Sequence, residues 1–265
     1  MARGPSRFWL WTAPLAVGIA AALVLGTGFV LALRGAAGKP LGAPPPRETP
    51  RERPADKPPD GIFRILVVGD SLAKGTGDES GKGFAVNVLE AFRKKGAAEI
   101  TNLAVNGMES PEVLAIVESP NVRALAARAN LILVSAGGND LSHGITRGPA
   151  PTELADAVTE SRNRYARSLR GILAALREAN PSARICVLGL YDPFGDEQKG
   201  SGRLGASVIL QWNELIAETA LAFPNVSVVP TFDLFQGRPD RLSADHYHPN
   251  AQAYEEIARR ILQIV

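Results

Sequence analysis

Cysteine and histidine are scarce in this chain, which has one cysteine and three histidines among 265 residues. The single cysteine, Cys186, excludes an intramolecular disulfide. Its place in the apolar run 185–190 predicts a small buried core residue. No two histidines or cysteines have the spacing of metal ligands, so the sequence predicts no metal site.

An excess of charge is also lacking, because the formal net charge is only +2. Residues 1–60 carry eight Lys/Arg against four Asp/Glu, which leaves 21 against 23 in the rest of the chain. The larger part is therefore slightly acidic, which argues against a nucleic-acid-binding surface.

One stretch lacks charge altogether, the 26 residues 8–33. As a helix it would be about 39 Å long, enough to cross a bilayer. Its apolar core exceeds that of a cleaved signal peptide, so we expect an uncleaved transmembrane signal anchor behind a short tail, residues 1–7. The alternative is cleavage near Gly35, which would give a secreted form.

Residues 34–60 are rich in proline, arginine and glutamate and predict an extended tether rather than a packed segment. The remaining residues, 61–265, predict one globular domain. Basic residues lie on both sides of the span, so two arguments about the orientation of the domain oppose each other. A literal count of these residues favours the cytoplasm, whereas two arginines before a long apolar core are typical of a secretory signal. We expect the domain outside the cytoplasm.

Within 61–265, apolar strand-like runs alternate with amphipathic helix-like stretches. This alternation predicts an α/β fold, a parallel sheet covered by helices on both faces. The predicted strands are Phe63–Val68, Glu99–Val105, Leu131–Ser135, Arg184–Leu190 and Val226–Val229. The predicted helices cover Phe84–Lys95, a stretch from Val113 to Ala129 interrupted at Pro120, about 154–176, Val208–Ala222, and Tyr254–Leu262.

Four polar stretches follow strands or precede helices, at the edge where open α/β sheets bind ligands. They are Gly69-Asp70-Ser71, Asn102–Gly107, Gly137–Asp140 and Asp245–Pro249. Together, and in this order, they resemble the four blocks of the SGNH/GDSL hydrolase family, and the resemblance extends over about 62–264. It implies a three-layer α/β/α fold with flavodoxin-like strand order 2-1-3-4-5. It also implies a serine esterase that needs no cofactor.

The resemblance assigns a role to five residues. Ser71 is the expected nucleophile, His248 the general base and then acid, and Asp245 the group that orients the imidazole. The expected oxyanion hole comprises the Gly107 amide, the Asn139 side chain and the amide of Ser71 itself. Glycine allows close backbone approach, and an asparagine amide donates without titrating.

Several other polar residues receive no catalytic role. His246 is the rival base, but its spacing from Asp245 does not fit the family pattern, so we expect a solvent-facing loop residue. His143 is expected in a polar loop, with the mouth of the pocket as the alternative. Asp70 and Asp140 are expected to tie loops together through backbone amides.

Two other motifs are excluded. The segment 69–76 follows a strand as a phosphate loop does, but Lys74 and Gly75 are transposed relative to the Gly-Lys-Ser/Thr pattern. The Gly-x-Ser-x-Gly elbow of α/β-hydrolases is absent, because Ala73 occupies the last position.

One segment of the sequence bears on the choice of substrate. The segment Tyr191–Gly205 is mostly polar and has no large apolar lid, which favours esters with short or medium acyl chains. Lysolipids and O-acetylated glycans remain open as substrates of a monomeric enzyme. Two alternatives also remain: a non-catalytic module that binds a glycan or a partner on the same fold, and an inward-facing thioesterase.

Overall fold

A computed structural model of the chain describes residues 60–147, 151–193 and 200–265. The predicted tail (1–7), the predicted span (8–33) and all but the last residue of the predicted tether (34–60) lie outside these ranges. Within them, no helix combines the length and the apolar character needed to cross a bilayer.

The described domain is built on a sheet of five parallel strands in the order β2-β1-β3-β4-β5, as expected. The strands are β1 (Phe63–Gly69), β2 (Ala98–Asn102), β3 (Leu131–Ser135), β4 (Arg184–Leu188) and β5 (Val226–Val229). The switch in strand order lies between β3, the central strand of the sheet, and its neighbour β1. Ligand sites in open α/β sheets form at the carboxyl ends of the strands beside such a switch.

Nine α-helices are described. They are α1 (Ser71–Lys74), α2 (Gly83–Arg93), α3 (Ser110–Glu118), α4 (Pro120–Arg128), α5 (Gly138–Arg147), α6 (Pro151–Ala179), α7 (Gly200–Leu221), α8 (Phe232–Phe235) and α9 (Ala251–Ile264). A 3₁₀ turn covers Pro239–Arg241. The predicted interruption at Pro120 separates α3 from α4, and the one-turn helix α1 was not predicted.

Side chains of β1 alternate between the two faces of the sheet, as a strand buried on both sides requires. Leu66 and Val68 belong to a core cluster with residues of α3, α4, α6 and α7. Ile65 and Val67 belong to a second cluster, with residues of α2, α8 and α9. The domain is therefore a three-layer α/β/α structure, as the alternation of strands and helices predicts.

Two strands end earlier than predicted. Regular β2 structure stops at Asn102, although the Leu103 and Val105 amides still donate to β1 carbonyls. Strand β4 stops at Leu188, and the Asn213 side chain then bonds both the amide and the carbonyl of Leu190, at 2.7 and 2.9 Å. A side chain from α7 thus replaces a strand partner, which a local sequence pattern cannot reveal.

Candidate active site

Ser71 is the first residue of α1 and follows the carboxyl end of β1 directly. Asp70 caps this helix, because its Oδ1 accepts a hydrogen bond from the Leu72 amide at 3.1 Å. The same oxygen accepts from Ser135 Oγ at 2.6 Å. Burial raises the pKa of Asp70, and these hydrogen bonds oppose the rise. Asp70 therefore fixes the turn that presents Ser71, as expected for a residue that ties loops together.

His248 lies opposite this turn, in the loop before α9. Its Nε2 is 2.8 Å from Ser71 Oγ, and its Nδ1 is 2.6 Å from Asp245 Oδ2. The three side chains thus form a continuous hydrogen-bonded series across 177 residues of sequence. In this geometry the imidazole can accept the proton of the serine hydroxyl while the carboxylate holds the opposite ring nitrogen.

Asp245 is held by hydrogen bonds on both carboxylate oxygens. Besides the imidazole, it accepts from Ser243 Oγ at 2.7 Å and from the amides of Tyr247 and His248, each at 2.9 Å. Partial burial opposes ionisation, but these hydrogen bonds outweigh it and hold the pKa of Asp245 well below its usual range. The carboxylate is therefore ionised across the neutral and mildly acidic range.

His246 does not join this series. It is exposed, and its backbone adopts the left-handed conformation with φ of 55°. Its amide donates to the Ser243 carbonyl at 3.0 Å, so the residue contributes to the reversal of the loop between Asp245 and His248. His246 thus has the expected position of a loop residue facing solvent.

The predicted oxyanion donors come from two other loops. Asn139 lies in the first turn of α5, and its Nδ2 donates to the Met108 carbonyl at 2.8 Å. Gly107 precedes Met108 in the turn after β2, with φ of +80°. Asn139 and Ser71 line one cavity, and Gly107 lies outside its lining. The structure therefore places Asn139 and Ser71 in the wall of one cavity and connects Asn139 to the turn that carries Gly107.

Asp140, a second buried acid, also connects α5 with the segment that follows Gly107. Asp140 accepts from the amide and the hydroxyl of Ser110, at 2.8 and 2.6 Å. Its own carbonyl accepts from Ser161 Oγ at 2.5 Å. Burial raises the pKa of Asp140, and the hydrogen bonds from Ser110 oppose the rise. The contact to the Ser110 hydroxyl was not expected, because a serine at a helix start has no sequence signal for a partner 30 residues away.

The cavity beside Ser71 has a volume of about 750 Å³. Ser71, Asn139 and His248 lie in its wall, and most of the remaining lining is apolar. Three helices contribute pairs of aliphatic side chains to it, Leu141 and Ile145 from α5, Leu154 and Val158 from α6, and Val208 and Ile209 from α7. The sequence did not predict these helical walls, although the segment Tyr191–Gly205, expected at the rim of the pocket, contributes Tyr191, Pro193 and Gly205 to the lining.

The pairs on α5 and α6 have a helical spacing of four residues, which was the available signal for an apolar face. That spacing is also typical of core residues, so the sequence alone could not distinguish a pocket wall from the core. His143, on the same helix as Leu141, lies 2.5 Å from Glu109 through its Nδ1 and not in a loop as predicted.

Within the described ranges, no three His, Cys, Asp or Glu side chains are grouped so that they could hold a metal ion. The acidic groups at the site are those of Asp245, of the buried Asp70 and Asp140, and of Asp192 in the cavity wall. The hydrogen-bonded series of Ser71, His248 and Asp245 can perform proton transfer and nucleophilic attack.

Several known proteins are similar to this chain in sequence or in fold. The profile of the GDSL-like Lipase/Acylhydrolase family matches residues 67–256. The uncharacterized protein YpmR of Bacillus subtilis (strain 168) is 28% identical over 207 residues, covering 76% of this chain and 80% of YpmR. The spore germination lipase LipC of Bacillus licheniformis is 24% identical over 209 residues, covering 75% of this chain and 94% of LipC.

Among solved structures, the lipase Lip_vut3 from a goat rumen metagenome superimposes with a TM-score of 0.68 at 23% identity. The superposition covers 76% of this chain and 97% of that lipase, which shows that the two share a fold. Because the family profile spans most of the described domain, the chain belongs to the GDSL-like lipase/acylhydrolase family and is an ester-hydrolysing enzyme.

Proposed function

We propose that the protein is a serine esterase that cleaves carboxylic esters through an acyl-enzyme intermediate. The observation that carries this proposal is the hydrogen-bonded series from Ser71 through His248 to Asp245. A serine hydroxyl is a weak nucleophile unless a base accepts its proton, and an oriented imidazole within hydrogen-bond reach is such a base.

In the acylation step, Ser71 Oγ attacks the ester carbonyl carbon while its proton passes to His248 Nε2. The tetrahedral intermediate then collapses, and His248 returns the proton to the alcohol that leaves. Deacylation repeats these steps with water as the nucleophile. Asp245 remains ionised throughout and stabilises the imidazolium, since its low pKa prevents it from taking the proton.

The oxyanion that forms in each step needs hydrogen-bond donors. We assign this role to the Asn139 side chain and to the amides of Ser71 and Gly107. Asn139 has two amide hydrogens, and the bond to the Met108 carbonyl uses one of them. The other remains for the substrate. Loss of one such donor typically costs about 2.7–4 kcal/mol of transition-state stabilisation.

The cavity favours esters with medium or long acyl chains. Its volume of about 750 Å³ and its aliphatic walls suit an alkyl chain that extends from the acyl carbon attached to Ser71. LipC, named a lipase, supports this choice by similarity. The preference from sequence for short or medium acyl chains rested on the segment Tyr191–Gly205 alone, whereas the aliphatic side chains of three helices favour medium or long chains.

The test is hydrolysis of a series of nitrophenyl esters, from acetate to long acyl chains, by the full-length protein in detergent. Each buried CH₂ contributes about 0.8 kcal/mol, so kcat/KM should rise about fourfold per added CH₂ until the cavity is filled. Ser71→Ala and His248→Ala should lose turnover, whereas His246→Ala, a matched histidine in the same loop, should retain it.

Two outcomes would contradict this proposal. A folded wild-type protein that turns over no ester or thioester and does not react with a fluorophosphonate would favour the alternative of a non-catalytic binding module. A kcat/KM that is highest for acetate would restore the alternative of an O-acetylated glycan, and would contradict the role of the apolar cavity.

We also propose, from the sequence of residues 8–33, that the enzyme is anchored in a membrane with its catalytic domain outside the cytoplasm. Washing membranes with alkaline carbonate should leave the protein in the pellet, and protease added to intact cells should release the domain by cutting within 34–60. Release by the wash would contradict the anchor. Protection from the protease would favour the inward-facing thioesterase.

A further inference from the structure

Glu109 is an acidic residue beside the proposed oxyanion hole to which the mechanism above gives no role. It follows Met108 and precedes α3, and its side chain is only 15% exposed. One carboxylate oxygen lies 2.5 Å from His143 Nδ1, and the other accepts from Arg164 Nη2 at 2.7 Å. The carboxylate thus connects the turn after β2 with α5 and α6.

The contacts of this turn with α5 lie on one face of the helix. Asn139 and His143 are four residues apart, so their side chains are neighbours on successive turns. Asn139 bonds the Met108 carbonyl, and His143 bonds the side chain of the next residue, Glu109. Two consecutive residues of the turn are therefore attached to the same helix that carries a proposed oxyanion donor.

Glu109 lies near a second acidic residue, Asp140. The nearby carboxylate of Asp140 is buried, and Glu109 adds to the rise of its pKa while Arg164 opposes it. Partly buried ion pairs of this kind add little to net stability, because desolvation offsets the attraction. Glu109 is also the N-cap residue of α3, where it forms a capping box with Glu112, and a negative charge stabilises the start of a helix. A lower melting temperature in a variant would therefore report capping, whereas the inhibitor measurement described below reports positioning.

We infer that Glu109 is a positioning residue for the oxyanion hole, a role that rests on the serine esterase function proposed above. Through His143 and Arg164 it holds the turn carrying Gly107 against α5, so that the Gly107 amide and the Asn139 side chain keep a fixed separation. Catalytic groups misplaced by about 1 Å can lose about 10²-fold in rate. Loosening this attachment should therefore slow the chemical step and leave substrate affinity unchanged.

The test uses Glu109→Gln and His143→Ala in the full-length protein, singly and together. Glu109→Gln keeps the length of the side chain and removes its charge, and His143→Ala alters a half-exposed side chain. The matched control is Glu178→Gln, which removes an exposed carboxylate that pairs with Arg123 of α4. Glu178 lies on α6, the helix that also carries Arg164, and is outside the lining of the cavity. Each variant is assayed for kcat and KM on the best nitrophenyl ester, and for its melting temperature.

The second measurement is the inhibition constant of a trifluoromethyl ketone that carries the same acyl chain. Ser71 Oγ adds to its carbonyl carbon, the carbonyl electron pair becomes an oxyanion, and the serine proton moves to His248. The adduct therefore reports oxyanion stabilisation at equilibrium. A purely structural role of Glu109 would lower the melting temperature without weakening this inhibitor in the folded enzyme.

We expect kcat to fall about 10- to 100-fold in Glu109→Gln, with KM within about twofold of wild type and inhibitor binding weakened in proportion to kcat. His143→Ala should show a smaller change of the same kind. The double variant should be no worse than Glu109→Gln alone, because both residues act through one attachment. Glu178→Gln should match wild type.

Wild-type kcat and inhibitor affinity in both single variants would overturn the inference, as would fully additive losses in the double variant. If Glu109→Gln does not fold, His143→Ala decides the matter, and unchanged kcat in that variant overturns the role. These outcomes differ from failure of the proposed function, in which the wild-type protein itself turns over no ester and binds no inhibitor.

Discussion

Gly77 lies against the loop that carries the proposed catalytic base. Its backbone has φ of +93°, and a Cβ built on it would be 2.7 Å from His248 Cβ, 2.8 Å from the Pro249 carbonyl and 2.9 Å from Ser243 Oγ. Gly81 offers a matched control in the same connection between α1 and α2. It has φ of +71°, and a Cβ there would have no neighbour within 4 Å.

Both alanine substitutions force a residue with a side chain into the left-handed region, which costs about 1–2 kcal/mol of folding free energy. Gly77→Ala must in addition move the His248 loop. Relief of the 2.7 Å contact to the 3.4 Å of ordinary van der Waals contact requires a displacement of about 0.7 Å. The bond between His248 Nε2 and Ser71 Oγ, now 2.8 Å, cannot absorb such a shift without loss of geometry.

We therefore expect Gly77→Ala to lower kcat/KM about 10- to 100-fold, whereas Gly81→Ala keeps the wild-type value. Both should lose a similar 1–2 kcal/mol from strain, with a further loss in Gly77→Ala from crowding. The measurements are urea unfolding and nitrophenyl ester hydrolysis at a temperature where both variants are folded. Full activity in Gly77→Ala, or an equal loss in Gly81→Ala, would refute the reasoning.

Three further predictions concern single residues. Asp245→Asn should lower kcat about 10³-fold or more in the ester assay, because a neutral amide does not stabilise the imidazolium; unchanged kcat would remove Asp245 from the mechanism. Val158→Trp should fill part of the cavity and shift the best ester to a shorter acyl chain, and an unchanged optimum would place the acyl group elsewhere. Burial raises the pKa of Cys186 from 9.0 to about 12, so iodoacetamide should modify the native protein far more slowly than the unfolded one, as followed by mass. The unfolded thiol ionises first, so the free energy of unfolding should fall as pH rises from 9 to 12, and Cys186→Ala should reduce this fall.

Much of the fold could be predicted from the sequence because its signals are local. The run 65–68 is apolar on both faces, which predicts a central parallel strand, and helical spacing identified α6 and α9. The order of the strands could be predicted only through the family resemblance, since hydrophobic periodicity does not indicate which strands pair. The residues of the proposed site could be predicted for a similar reason, because Ser71, Asn139 and His248 stand in short motifs at strand ends or helix starts.

The rest depends on contacts between distant segments. The capping box of Glu109 and Glu112 signals only a helix start, and the contacts of Glu109 with His143 and Arg164 form when α5 and α6 bring these residues to it. The apolar cavity depends on how three helices are rotated about their axes, and residues such as Leu141 and Ile209 both belong to the core cluster and line the cavity. Asn213 ends β4 through a side-chain amide that a strand pattern cannot anticipate.

In the tripeptide Gly69-Asp70-Ser71, the first two residues determine the backbone geometry and the third carries the proposed nucleophile. Gly69 has φ of +139°, and a Cβ there would be 2.0 Å from the Ser135 carbonyl oxygen, so only glycine lets β1 approach β3 at this point. Asp70 then accepts from Ser135 and caps α1, which fixes the direction of the next residue. Because both contacts of Asp70 are with groups outside the proton path, its loss should displace the nucleophile without changing the identity of the base. The chemistry of the motif is thus confined to Ser71, and the two residues before it determine where that hydroxyl lies.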